Sequence, residues 1–398
     1  MTAIANTPSF DEILFAKKPD FVEDTRTFRD TAKKIVLCLL KIVIYPWAIY
    51  DAVKYLLQRT IMMIVYPAQN FWLKRYLFKQ PEQIEYSLRL GLQLTQKCTI
   101  RPVRLDKNGV KICGWALEVP GSKKWVLQLA GNGATVANYV PKINDLNADA
   151  GFSTLLIDNP GVGFSEGDAT PETIGEAQSF AIKYLEEKRG ATQVVLAGHS
   201  FGGAAIDLAV IRHKFKKTVD YLAVPQMTFG RLSHVAKKMA TFYGCFSFCL
   251  RLFTPYLIKM ADLEMDNVHA SRVLADAGIP EHIINRREPP SFIDKDGVRV
   301  IIYDNQRKTS GFLSDGVIPG KATLGHQLFK NKISHLKTMD YDTEFFDHNS
   351  DGPFALTAKI IKEWDQKIHP KKPPLSKKET TSLRAFRSYL PKPLADLV

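Results

Sequence analysis

The sequence predicts an α/β fold: a mainly parallel, doubly wound sheet with a helical cap insertion and a helical N-terminal extension. Three observations predict it. Short β-branched apolar runs alternate with helical stretches between Lys124 and Val224, a spacing that calls for crossovers between parallel strands. The run Gln193-Val194-Val195-Leu196-Ala197 ends in Gly198-His199-Ser200-Phe201-Gly202 and leads into the helical stretch Ala204 to Val210. That is strand, sharp turn and helix. Finally, a strand-free, aromatic-rich stretch from 227 to about 296 interrupts the alternation before it resumes.

Residues 1–95 read as helical, with no strand alternation. Within them, Ile35 to Tyr50 and Tyr55 to Ala68 are apolar, interrupted by Lys41, Pro46 and Arg59. Both fall short of the roughly 20 apolar residues that span a bilayer. They read as helices packed on the main domain or as interfacial membrane helices. The polar, mixed-charge start (Met1 to Lys17) excludes an ordinary secretory signal.

The core runs from 96 to 226. Thr99 to Leu105 and Val110 to Leu117 flank Asn108-Gly109, a strong hairpin signal. Lys124 to Leu129 is a short strand, followed by the turn Ala130-Gly131-Asn132-Gly133 and a helical pattern ending near Gly151. Phe152 to Ile157 is the next strand, and Pro171 to Lys188 a helix with proline where helices tolerate it. The elbow strand and its helix (Phe201 to His213) precede another strand, Val219 to Val224. Residues 227–296 read as a helical cap, with Phe242, Tyr243, Phe246, Phe248, Phe253 and Tyr256 inside it. The core resumes over 297–368, with strands at Val298 to Tyr303 and Ile333 to Met339 and a helix at Pro353 to Lys367. Residues 369–398 form a basic Pro/Lys-rich tail, with an amphipathic piece near Leu383 to Leu390.

The net charge of +13 comes without zinc-finger spacing or an aromatic RNA-binding cluster, so nucleic acid is not expected as a partner. A solvated basic tail accounts for much of the excess; attraction to an anionic membrane surface is the functional alternative. Five scattered cysteines (Cys38, Cys98, Cys113, Cys245, Cys249) read as small buried hydrophobes in a reducing compartment. No His/Cys spacing completes a metal site, and no cofactor is expected. Gly161-Val162-Gly163 lacks a full G-x-G-x-x-G after the first strand, so no dinucleotide site is read there.

A serine on such an elbow needs a base, and the base needs an orienting carboxylate. In doubly wound hydrolases the order is Ser, acid, His. Ser200 is the candidate nucleophile. Asp315 is the candidate acid, because it follows the Val298 to Tyr303 strand; Asp304, at that strand's end, is the alternative. His348 is the candidate base, placed between the last strand and last helix. His335 begins that strand, His326 precedes it and His199 sits inside the elbow, so none suits. The backbone amides of Phe201 and Asn132 are the candidate oxyanion donors. Asp158 to Ser165 reads as an architectural loop bordering the pocket.

From Thr99 to Lys367 these motifs together resemble the α/β-hydrolase superfamily. The resemblance implies Ser200, Asp315 and His348 as nucleophile, acid and base. Many relatives carry His where this chain has Ala130. Tyr45-Pro46-Trp47, Tyr66-Pro67-Ala68, Asn159-Pro160-Gly161-Val162-Gly163 and Met227-Thr228-Phe229 resemble, more narrowly, CHLPS-type hydrolase-like proteins of intracellular bacterial pathogens and SidB-type secreted effectors of Legionella. That likeness implies an effector-like hydrolase or lipase, made in the cytoplasm and translocated. The expected activity is cleavage of an ester or thioester, chiefly of a lipid or fatty acyl group. A peptidase or small-ester esterase, and a non-catalytic membrane-associated protein on the same fold, are the alternatives.

Overall fold

The computed structural model describes residues 19–43, 45–66, 80–132, 134–143, 145–239, 247–285, 291–293, 299–301, 324, 327–328, 337–340 and 352–369. The strands among them are β1 (Phe21–Glu23), β2 (Thr99–Lys107), β3 (Val110–Glu118), β4 (Lys124–Leu129), β5 (Ser153–Ile157), β6 (Gln193–His199), β7 (Asp220–Gln226), β8 (His282–Asn285), β9 (Ser291–Ile293), β10 (Arg299–Ile301) and β11 (Lys337–Asp340). The helices are α1 (Phe28–Val43), α2 (Tyr45–Val65), α3 (Gln80–Leu94), α4 (Val140–Ile143), α5 (Pro171–Glu187), α6 (Phe201–Arg212), α7 (Leu232–Met239), α8 (Ser247–Met260), α9 (Asn267–Asp276) and α10 (Gly352–Ile368).

The main sheet has the order β1-β2-β3-β5-β4-β6-β7-β8-β11. β3 is antiparallel to both its neighbours. From β5 onward every pairing is parallel. The carboxyl ends of β4, β5, β6, β7, β8 and β11 therefore meet at one rim, where ligands of open α/β sheets bind. The strands are apolar because both faces are covered: all residues of β5 and β6 are buried. The β2–β3 hairpin turns at Asn108 and Gly109, both with positive φ (53° and 81°), as the sequence predicts. α5 starts where Thr170 accepts a bond from the Thr173 amide and Pro171 takes the first turn.

Three expectations are corrected. The extension is not wholly helical: Phe21–Glu23 adds a parallel edge strand to β2, with Phe21 stacked on Phe180 at 4.7 Å. The stretch assigned to the cap is helical over α7 to α9, but it ends in β8, a core strand between β7 and β11. Of the strand expected at Val298 to Tyr303, the described part (β10) stands outside the main sheet: among the described residues it pairs with β9 alone, in an antiparallel ribbon. β8 is only four residues long and too brief to register as a period, yet Ile283 and Ile284 are fully buried.

Candidate active site

Ser200 sits between β6 and α6 with φ 54° and ψ −117°, a conformation that L-residues rarely adopt. Such a residue costs on the order of 1–3 kcal/mol and persists only where its surroundings hold it. Here they do. The Ser200 amide donates to the Gln226 carbonyl at the end of β7, at 2.7 Å. A Cβ on Gly198 would lie 2.2 Å from the Gly202 carbonyl oxygen, and one on Gly202 2.5 Å from that of Leu129. Strand and helix can approach this closely only with glycine at both positions. The Ser200 hydroxyl makes no helix-capping bond, although Ser200 is the N-cap residue just before α6.

The turn after β4 lies directly alongside. A Cβ on Gly131 would be 3.3 Å from Ser200 Cβ. The Gly131 amide donates to the Tyr139 hydroxyl at 2.8 Å. That amide is thus occupied, and the next in the turn belongs to Asn132. The same hydroxyl lies 3.3 Å from His199 Nδ1. Burial pushes the Tyr139 hydroxyl up to about 12, so it stays a neutral phenol. Tyr139, His199 and Phe354 pack edge to face and tilted, with centroids 5.0–6.3 Å apart. His199 is thereby a buried bracket of the elbow.

On the other side, the Tyr66 ring stacks on Phe201 at 4.2 Å and 14°. Asn159 Nδ2 donates to the Tyr66 hydroxyl at 3.0 Å, and Gln178 Nε2 donates to Asn159 Oδ1 at 2.9 Å. Burial raises the Tyr66 hydroxyl well above its ordinary value. The Asp158 to Ser165 loop thus acts as architecture: Asp158 takes the Val136 amide, and Ser165 Oγ takes that of Cys113. Sequence reasoning missed Tyr66 and Tyr139, whose partners are distant in the chain.

Asp304, Asp315 and His348 lie outside the described residues, as do His326 and His335. The topology still says which connections carry them. His348 falls between β11 and α10, and both aspartates fall between β8 and β11. Among the described residues, no group of three or more His, Cys, Asp or Glu could hold a metal ion.

The strand order, the lone reversed strand β3 and the strained serine in the tight turn after β6 define an α/β-hydrolase fold. The chain belongs to the Chlamydia CHLPS protein family (DUF818), whose family model matches residues 26–276. Solved structures similar to it include an esterase of Pyrococcus furiosus (13% identity over 68% of this chain and 91% of that one, TM-score 0.46). A 2,6-dihydroxy-pseudo-oxynicotine hydrolase is 14% identical over 75% of this chain and 77% of that one, with a TM-score of 0.47. Est1E from Butyrivibrio proteoclasticus is 14% identical over 68% of this chain and all of that one, with a TM-score of 0.44.

Proposed function

We propose that the protein is a serine hydrolase that cleaves an ester or thioester, chiefly of a lipid or fatty acyl group, without a cofactor. The observation that carries the reading is the strained Ser200, at the rim where the carboxyl ends of six parallel strands meet. Ser200 Oγ attacks the acyl carbon while His348 Nε2 takes its proton. The carbon–oxygen or carbon–sulfur bond then breaks, and the imidazolium gives that proton to the leaving alcohol or thiol. Water, deprotonated by His348, releases the acid and restores Ser200.

Asp315 holds the imidazolium, with Asp304 as the rival in the same connection. The support for His348 is its place on the connection from the rim end of β11 to α10, whose Phe354 lies 6.1 Å from His199. The amides of Phe201 and Asn132 serve the oxyanion; the turn that carries Asn132 lies directly beside Ser200, with a Cβ on Gly131 3.3 Å from Ser200 Cβ. The acyl preference rests on the apolar side chains of α1, α2 and α8.

Fluorophosphonate labelling tests the reading. Ser200→Ala and His348→Ala should abolish labelling, Asp315→Asn should impair it strongly, and Asp304→Asn should leave it near normal. An unlabelled folded wild type would instead favour a binding protein on this fold. A p-nitrophenyl ester series should favour long chains; preference for acetate would assign a small-ester esterase.

A further inference from the structure

We propose that α1 and the exposed face of α2 form a docking surface for the anionic headgroup region of a lipid bilayer. On α1, Ile35, Val36, Leu37, Leu39 and Leu40 are each 50–58% exposed, and Cys38 among them is also exposed. Six successive residues make more than one helical turn, so within that turn apolar groups point to every side of the helix. A protein groove covers one stripe of a helix and leaves the opposite side wet. The positions of Arg29, Asp30, Lys33, Lys34 and Lys41 gather on one side of α1, and a helix with a wide apolar face and a charged one lies in the plane of a bilayer surface. α2 continues the surface with Ile49, Tyr50, Val53, Tyr55 and Leu56 exposed. Tyrosines with wet tips suit the interface between headgroups and chains.

Geometry excludes a crossing. The 16 residues of α1 reach about 24 Å, less than the roughly 30 Å of a hydrocarbon core. No described helix is long and apolar enough to cross a membrane. α2 is moreover tied to the body of the protein: Lys54 pairs with Asp262, Arg59 with Asp168, and Gln58 Nε2 donates to the Ala261 carbonyl. The occupant is therefore a surface that α1 and α2 lie in.

Charge selects an anionic one. Over residues 28–65, Lys and Arg outnumber Asp and Glu by six to two, and by four to two once Lys54 and Arg59, paired with Asp262 and Asp168, are set aside. Lys33 and Lys34 are exposed just before the apolar turn, and Lys41 follows it in sequence. Their stems can lie along lipid while their amines reach phosphate.

Flotation of the full chain with vesicles tests this, and it is read without turnover, so failure of the hydrolase reading would not mimic failure here. Wild type should float with phosphatidylglycerol/phosphatidylcholine vesicles and weakly or not at all with phosphatidylcholine alone. Leu37→Asp with Leu40→Asp should weaken partitioning by at least about tenfold, since two exposed leucines lose their burial in lipid. Lys33→Glu with Lys34→Glu, which touches no apolar contact, should weaken it on the order of tenfold with an unchanged melting temperature. Wild type that stays unbound, or variants that float like wild type, would overturn the proposal. So would a wild-type dimer, by light scattering, that the leucine variant turns into monomer, because the surface would then belong to a second copy.

Discussion

Asp207 offers a quantitative test of how the elbow helix is built. It projects from α6 and is 1% exposed, and neither carboxylate oxygen has a hydrogen-bond partner among the described residues. Glu281, just before β8, is 2% exposed; one oxygen accepts from Ser271 Oγ at 3.1 Å and the other is unpartnered. Burial pushes Glu281 up to about 8. It raises Asp207 far above the carboxylate range, with the Glu281 charge adding to the effect.

Both groups thus hold protons in the folded protein at pH values where the unfolded chain, near 4, has released them. The folded state binds more protons across that window, so stability falls as pH rises. It is full below about pH 4 and lost on the way to about pH 8. Each proton changes stability by up to about 1.4 kcal/mol per pH unit, so a rise from about pH 5 to about pH 8 removes up to roughly 4 kcal/mol for each group that keeps its proton over the whole window. That is a large share of a typical total of about 5–15 kcal/mol.

Asp207→Asn removes one titration and the repulsion on Glu281. Urea unfolding across this range should give a steeply falling curve for wild type and a shallower one for the variant. The curves should diverge by a few kcal/mol toward alkaline pH. A wild-type stability that is flat or rises from about pH 5 to about pH 8, or parallel curves, would refute a protonated buried pair. Another buried carboxylate is built the opposite way. Burial disfavours the charge on Glu186, but hydrogen bonds with His213 Nε2 (2.8 Å) and the Tyr221 hydroxyl outweigh it and hold the carboxyl below its ordinary value.

Ser200→Gly should relieve the elbow's strain of about 1–3 kcal/mol against a glycine entropy cost of about 0.5–1. The variant should be inactive yet about 1 kcal/mol more stable in urea; a less stable variant would mean the turn is relaxed. Tyr66→Phe keeps the stack on Phe201 but leaves the buried Asn159 amide short of an acceptor, so calorimetry should show a loss of about 1–3 kcal/mol. Gly202→Ala drives a methyl group into the Leu129 carbonyl and should cost more than about 3 kcal/mol. Soluble variant with wild-type melting would contradict that close approach.

What the sequence reveals depends on where the deciding interaction lies. Asn108-Gly109 specifies its own turn, and Gly198 to Gly203 its own elbow, because the backbone constraint is local. β8 escaped because four residues cannot display a period; its identity comes from β7 and β11 on either side. The run at Val298 has the stronger intrinsic strand character, but its partner is Ser291–Ile293, and tertiary pairing overrode position in the chain. The acid assignments therefore rest on the β8–β11 connection and no longer on that run. Tyr139 carries no motif, and the Tyr66-Pro67-Ala68 likeness says nothing of the ring on which Tyr66 stacks. Asp207 did leave a trace, as the lone charge in Ala204-Ala205-Ile206-Asp207-Leu208-Ala209-Val210.

The contacts around Phe201 bear on what the N-terminal extension is for. A strained serine stays strained only if the atoms around it resist relaxation more than the strain favours it. The β7 carbonyl and the glycine contacts with β4 belong to the sheet and come with the fold. The stack on Phe201 comes instead from Tyr66, at the end of α2, and is locked by Asn159 and Gln178. Full burial of such a ring is worth about 1.5–3 kcal/mol, the same order as the strain it helps to restrain. The extension is therefore structurally part of the support of Ser200. Whatever holds α1 and α2 in place also bears on Phe201, the residue proposed to offer its amide to the oxyanion, which is why extension and elbow should be perturbed together before either is assigned a separate role.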